Sequence, residues 1–285
     1  MISDPQASED CLLVQAVFQM GGKELTPPPD PLLAAAPLGY TVQAYVCGID
    51  EAIGDEQTCM GALVSRPAIS SGLEYALVLR GTAGQREWAE DSEFILTAYP
   101  LAGRVESGFF DVYHRLSAIV AGETQRRPLL AAVQAVLPAG ACLRVVGHSL
   151  GAAVATHAAL DLALLMSDAS RISATLIASP HVGDAEFDAL FDRSVARYKS
   201  YGREFDVVPH IPAGFGYAHP ANMVWMKRAN EQAVISLASL ADQHHALVYG
   251  AALYYNLIDW KGLTGQAAAL VAAILGPNPL LAAAA

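Results

Sequence analysis

Gly147-His148-Ser149-Leu150-Gly151 is the stretch of this sequence that most directly suggests chemistry. It lies between the apolar run Leu143-Arg144-Val145-Val146 and an alanine-rich stretch over 152–165, so a strand is expected to turn through Ser149 straight into a helix. So tight a turn needs residues with almost no side chain two positions either side of the serine. It lifts the hydroxyl above a sheet at a helix N-terminus, where developing negative charge is favoured. A serine hydroxyl is a weak nucleophile until an imidazole accepts its proton, and that imidazole needs a carboxylate on its other nitrogen. In turns of this kind the acid and then the histidine follow along the chain. Asp206 fits the first requirement. It follows a predicted strand, Val195–Tyr201, and opens Val207-Val208-Pro209-His210-Ile211-Pro212, which puts it in a loop at a strand's C-terminal end. Asp184, Asp188 and Asp192 stand at helical spacing and read as solvated positions around a surface helix.

The elements that must hold these residues are legible as alternating patterns. Residues 8–19 open with Ser8, Glu9 and Asp10 ahead of an apolar stripe and predict a capped amphipathic helix. Residues 21–39 carry five prolines, a loop without regular structure. Strands are predicted at Tyr40–Ile49 and Met60–Ser65, suited to a hairpin, and at Leu73–Leu79, Cys142–Val146, Ala174–Ala178 and Val195–Tyr201. Helices are predicted at Phe109–Val120, Thr124–Val136, Leu150–Met166, Ala185–Phe191, His244–Leu257 and Gly265–Leu275. Strand and helix in alternation point to an α/β fold with a mostly parallel sheet, taken as one domain over 1–285.

Composition excludes several partners. Of 285 residues 53% are apolar and 16% charged, against about 25% charged in an average soluble chain, so disorder is excluded. A net charge of -11 repels phosphates and argues against nucleic acid and against a basic membrane-binding face. The longest apolar run near an end, Ala267–Leu275, is nine residues, against about 20 for a membrane-spanning helix. The first cation is Lys23, so no cleavable secretory signal is expected, and the compartment is read as cytoplasmic or reached without such a signal. Cys11, Cys47, Cys59 and Cys142 form no Cys-x-x-Cys pair; Cys142 is expected to be a buried thiol, and a Cys47–Cys59 bridge is left open.

Four separated blocks give the chain a resemblance to a known family. Leu77-Val78-Leu79-Arg80-Gly81-Thr82 with Trp88 and Asp91, then Val105-Glu106-Ser107-Gly108-Phe109, then Gly-His-Ser-Leu-Gly, then Ser179-Pro180-His181-Val182-Gly183 with Asp206-x-Val-Pro-x-x-Pro, resemble the class 3 (fungal-type) lipases of the α/β-hydrolase fold. The resemblance implies a central sheet flanked by helices and a short lid over 83–94 that includes Trp88. It implies hydrolysis of acyl esters through an acyl-enzyme on Ser149, with Asp206 as the triad acid. It implies an oxyanion hole made by Thr82 and the backbone N–H of Leu150. A lipid or other acyl-ester substrate is expected, and no metal or organic cofactor. Phospholipase A and feruloyl-type esterases share this triad, and a lipid-binding protein could keep the fold without the activity.

The histidine is chosen less directly. His114, His148 and His157 precede the acid, and His181, His210 and His219 fall in blocks where the family has structural residues. His244 and His245 remain, adjacent at a predicted helix start. Asp242 and Tyr249 around the first match one spelling of the family's histidine motif, and Leu247 favours the second; His244 is preferred, with His245 the alternative. The lid departs from the family. Ala83–Ser92 holds Arg86, Glu87, Glu90 and Asp91 and one large apolar side chain, Trp88, so weak interfacial activation and a leaning toward soluble esters are expected.

Overall fold

Alternating burial along the strands dictates a layered architecture, because both faces of the central strands are apolar and each must be covered. A computed structural model describes residues 4–20, 39–49, 57–68, 72–82, 94–214, 216–226 and 244–254. In chain order its elements are α1 (Pro5–Met20), β1 (Thr41–Ile49), β2 (Gln57–Pro67), β3 (Leu73–Leu79), β4 (Leu96–Ala98), β5 (Arg104–Glu106) and α2 (Ser107–His114). Then follow β6 (Ser117–Val120), β7 (Arg126–Pro128), α3 (Leu129–Val136), β8 (Leu143–His148), α4 (Leu150–Leu165) and β9 (Ile172–Ile177). The remainder are α5 (Ala185–Ser194), β10 (Arg197–Arg203), β11 (Met223–Met226) and α6 (Ala246–Leu253).

Nine of these strands form one sheet in the order β11-β10-β9-β8-β3-β2-β1-β6-β7. From β11 to β3 every neighbouring pair is parallel, and from β3 to β7 every pair is antiparallel. In the parallel half Thr82, Ser149 and Asp206 follow the C-terminal ends of β3, β8 and β10. On β3 Tyr75, Leu77 and Leu79 enter the core beneath α2, α4 and α5, while Ala76 and Val78 enter a second core beneath α1 and α6. Fully burying an aliphatic side chain of this kind contributes about 1.5–3 kcal/mol. Helix α4 is buried almost all round, and its alanines let it lie close against β8 and β9.

Several elements differ from expectation, each for a local reason. Helix α1 starts earlier than Ser8: Asp4 caps it by accepting from the Ala7 N–H at 3.0 Å, and Pro5 takes the first turn, where its missing N–H costs nothing. Ser8 is instead buried and donates to the Gly250 carbonyl of α6 at 2.7 Å. The predicted helices 109–120 and 124–136 each lose one end to the sheet. Ala118 and Ile119 extend the edge of β1 as β6, and Arg126–Pro128 pairs onto β6 as β7. Cys142 is exposed, not buried, because β8 begins one residue later. Cys47 and Cys59 face each other across β1 and β2 as free thiols. The Pro-rich loop (except Gly39), the lid from 83 to 93 including Trp88, and the predicted helix 265–275 lie outside the described residues. No helix among the described residues is long and apolar enough to cross a membrane.

Asp188 is the clearest correction. It is 4% exposed, and neither carboxylate oxygen has a hydrogen-bond partner among the described residues. Burial pushes its pKa up to about 8, with Asp192 and Asp184 adding repulsion. The folded value lies above the ordinary 3.8, so the folded chain holds a proton that the unfolded chain releases, and stability is lost as pH rises from about 4 to 8. Asp188→Asn should therefore raise Tm at pH 8 by several degrees, and the gain should vanish toward pH 4. Differential scanning fluorimetry across that range checks this; a gain independent of pH would contradict it.

Candidate active site

The turn predicted from the glycine spacing is built as expected. β8 ends at His148, α4 starts at Leu150, and Ser149 alone spans the corner with φ 60° and ψ −133°. A non-glycine residue in that region stores about 1–3 kcal/mol, which the surroundings must hold in place. A Cβ on Gly147 would lie 2.2 Å from the Gly151 carbonyl oxygen. One on Gly151 would lie 2.4 Å from the carbonyl oxygens of both Leu79 and Arg80. Strand, helix and the end of β3 thus meet backbone to backbone. The Ser149 N–H donates to the Ile177 carbonyl at 3.0 Å, tying the corner to β9.

Asp206 follows β10 and is fully buried. Its Oδ2 accepts from His244 Nδ1 and from the Tyr249 hydroxyl, both at 2.7 Å, and its Oδ1 accepts from the Val208 N–H at 3.0 Å. Burial alone would raise its pKa, but the adjacent His244 and these three donors reverse that and hold the carboxyl below its usual range. Because a carboxylate only accepts, His244 Nδ1 carries the proton, and in the neutral ring Nε2 keeps its lone pair. That Nε2 is buried with no hydrogen-bond partner among the described residues. His245 does something else: its Nδ1 accepts from the Leu247 N–H at 3.2 Å and caps α6.

On the other side of Ser149 lies the turn after β3. A Cβ on Gly81 would stand 2.9 Å from Ser149 Cβ and 3.3 Å from its Oγ, so this turn runs directly against the serine. The buried Arg80 fixes it: Nε donates to the Cys59 carbonyl and Nη1 to the Gly81 carbonyl, each at 2.7 Å. Thr82, next in the chain, is buried, and Leu150 opens α4, so its N–H has no partner within the helix. Among the described residues no group of three His, Cys, Asp or Glu side chains is arranged to hold a metal.

The sequence profile of the family described as Lipase (class 3) matches residues 76–215, a span that runs from the middle of β3 through the corner to beyond Asp206. Over that segment, just under half of its length, the chain is similar to the class 3 lipases. A lipase of Rhizomucor miehei is 33% identical over 159 residues, which are 53% of this chain and 41% of that protein. A phospholipase A1 of Oryza sativa is 32% identical over 158 residues, 49% of this chain and 40% of its own length. The chain therefore spans about two fifths of each of these relatives. The crystal structure of a lipase from Rhizopus microsporus var. chinensis superimposes with a TM-score of 0.59 at 22% identity, covering 80% of this chain and 77% of the other. The fold is that of the α/β-hydrolases, as the lipase resemblance implied.

His157, His181, His210 and His219 are engaged away from Asp206. His181 Nδ1 donates to the Pro212 carbonyl at 2.7 Å, which leaves its Nε2 to accept from His219 Nε2 at 2.7 Å when both rings are neutral. His210 stacks on Trp225 with ring centroids 4.7 Å apart. His157 is buried among Tyr113, Phe110 and Phe187, and burial pushes its pKa down to about 3. Sequence reading used Tyr249 only to align a motif and missed its bond to Asp206; its position three residues into a helix opened by two histidines was the available signal.

The backbone contacts at the corner give a direct test. Gly151→Ala should cost more than about 4 kcal/mol, because main-chain atoms cannot move aside for a methyl group. Gly140, at φ 83° with open space around it, should cost about 1–2 kcal/mol as alanine. Urea unfolding of both variants checks the ranking.

Proposed function

We propose that this chain is a serine carboxylic-ester hydrolase that cleaves acyl esters of glycerol or similar alcohols. The observation that carries the reading is the 2.7 Å contact between Asp206 Oδ2 and His244 Nδ1, which leaves Nε2 without a hydrogen-bond partner among the described residues, on a ring 4.6 Å from that of His148 beside Ser149. In this reading Ser149 Oγ attacks the ester carbonyl while its proton passes to His244 Nε2. Asp206 orients the ring and stabilises the imidazolium, with Tyr249 and the Val208 N–H sharing the buried charge. The carbonyl electron pair collects on oxygen, facing Thr82 and the Leu150 N–H, each worth about 2.7–4 kcal/mol in the transition state. Collapse breaks the ester C–O bond, and the alkoxide leaves with the proton from His244. Water then repeats the sequence on the acyl-enzyme, releasing the acid and regenerating Ser149.

The likeness to a lipase and to a phospholipase A1 supports acyl-ester chemistry with the head group open. The charged residues Arg86, Glu87, Glu90 and Asp91 support short or soluble esters over an oil surface. A panel of glycerol, phospholipid and feruloyl esters of graded chain length, each taken across its solubility limit, measures both properties. Ser149→Ala should abolish turnover of p-nitrophenyl butyrate and labelling by a fluorophosphonate, without lowering Tm. His244→Ala should lower kcat by about four orders of magnitude or more, and His245→Ala by less than about tenfold, the cost of a lost cap. Labelling at a residue other than Ser149, or the reverse ranking of the two histidines, would overturn the assignment.

A further inference from the structure

His148 precedes the acid in the chain, and sequence order removes it from the role of base. Its position in the fold is nonetheless specific. It is 3% exposed, its ring lies 4.6 Å from that of His244 between centroids, and its Nε2 stands 2.7 Å from the His244 carbonyl oxygen. A carbonyl can only accept, so His148 Nε2 must carry a proton and donate it. Burial pushes the pKa of this ring down to about 3, with the neighbouring His244 working in the same direction, so it stays neutral through the range in which esterases are assayed.

The contact answers a question that the site geometry raises. His244 Nε2 has no hydrogen-bond partner among the described residues, so no side-chain bond besides that of Nδ1 holds the ring. Asp206 holds Nδ1, and where Nε2 then lies depends on where the His244 main chain sits. We propose that His148 is a positioning residue for the proposed hydrolysis: its Nε2–H fixes the main chain of His244 and thereby sets the approach of the imidazole to Ser149. This inference rests on the reading of Ser149, Asp206 and His244 given above. His148 and Ser149 are neighbours on the same corner, so the bond ties the His244 main chain to the nucleophile's own backbone. The base therefore moves with the serine. Since about 1 Å of misplacement can cost two orders of magnitude in rate, a second anchor on the base has a kinetic purpose and not only a packing one.

Glutamine and methionine separate those purposes. Gln Nε2 lies the same number of bonds from Cα as His Nε2 and brings an N–H; Met has the same reach and brings none. With p-nitrophenyl butyrate, His148→Met should lower kcat about tenfold or more with KM within about twofold, and His148→Gln should restore kcat to within about threefold of wild type. The rate of inactivation by a fluorophosphonate should follow kcat. Equal kcat in the Gln and Met variants, or a loss confined to KM, would overturn the proposal. A wild-type measurement decides the matter even if neither variant folds: 15N-histidine NMR at pH 8 should show His148 as the neutral Nε2–H tautomer, and an Nδ1–H tautomer or an imidazolium would refute it. Turnover that persists in Ser149→Ala would instead defeat the reading of the site, a result distinct from either of these.

Discussion

Everything at the C-terminal edge of the sheet depends on one close approach of main chains. Gly147, Gly151 and the carbonyls of Leu79 and Arg80 are packed so tightly that a single added methyl group has no place to go. That contact forces Ser149 to turn the corner alone, in a backbone conformation it would not choose. The same contact brings Gly81 against the serine, so Ser149 and the turn that faces it are set by one constraint. Stability contributed by the two cores is what holds the strain, chiefly α4 against β8 and β9 and the alternating side chains of β3.

The electrostatic half of the site follows a different logic. A fully buried carboxylate is tolerable only because every direction around Asp206 supplies a donor: an imidazole, a phenol and a backbone amide. Tyr249 is tied in turn, accepting from the Arg203 N–H at 3.1 Å, so the acid, the end of β10 and helix α6 form one connected polar group inside an apolar core. Such a group polarises the imidazole without leaving it any alternative orientation of the Nδ1 proton. Asp188 is the counterexample in the same molecule. It too is buried but has no donor among the described residues, and the outcome there is protonation instead of charge.

What could be read from the sequence was what is local. The glycines two residues either side of Ser149, the continuous apolar run of β3 and the alanine-rich α4 each carry their signal within a few neighbours, and all three stand where the pattern put them. Edge strands β6 and β7 were hidden inside helical patterns because their strand character comes from pairing with β1, not from their own composition. The choice between His244 and His245 was of the same kind. Both are flanked by similar residues, and only a contact made across 38 positions distinguishes them. The acidic stripe of α5 misled because spacing gives a helix face but not its direction; here Asp192 is turned toward the Tyr198 hydroxyl and the Ala221 N–H.

Helix α1 closes against α6 through Ser8 to the Gly250 carbonyl and through the Asp4 N–H to the Leu253 carbonyl, contacts that span more than 240 positions. Its other ties run inward, from Asp10 to Arg144 on β8 at 2.9 Å. His244 leads almost directly into α6 and meets Asp206 at 2.7 Å, so the same seat that closes the second core also sets the place of this histidine. Whatever loosens the N-terminal helix loosens the hold on a residue about 240 positions away.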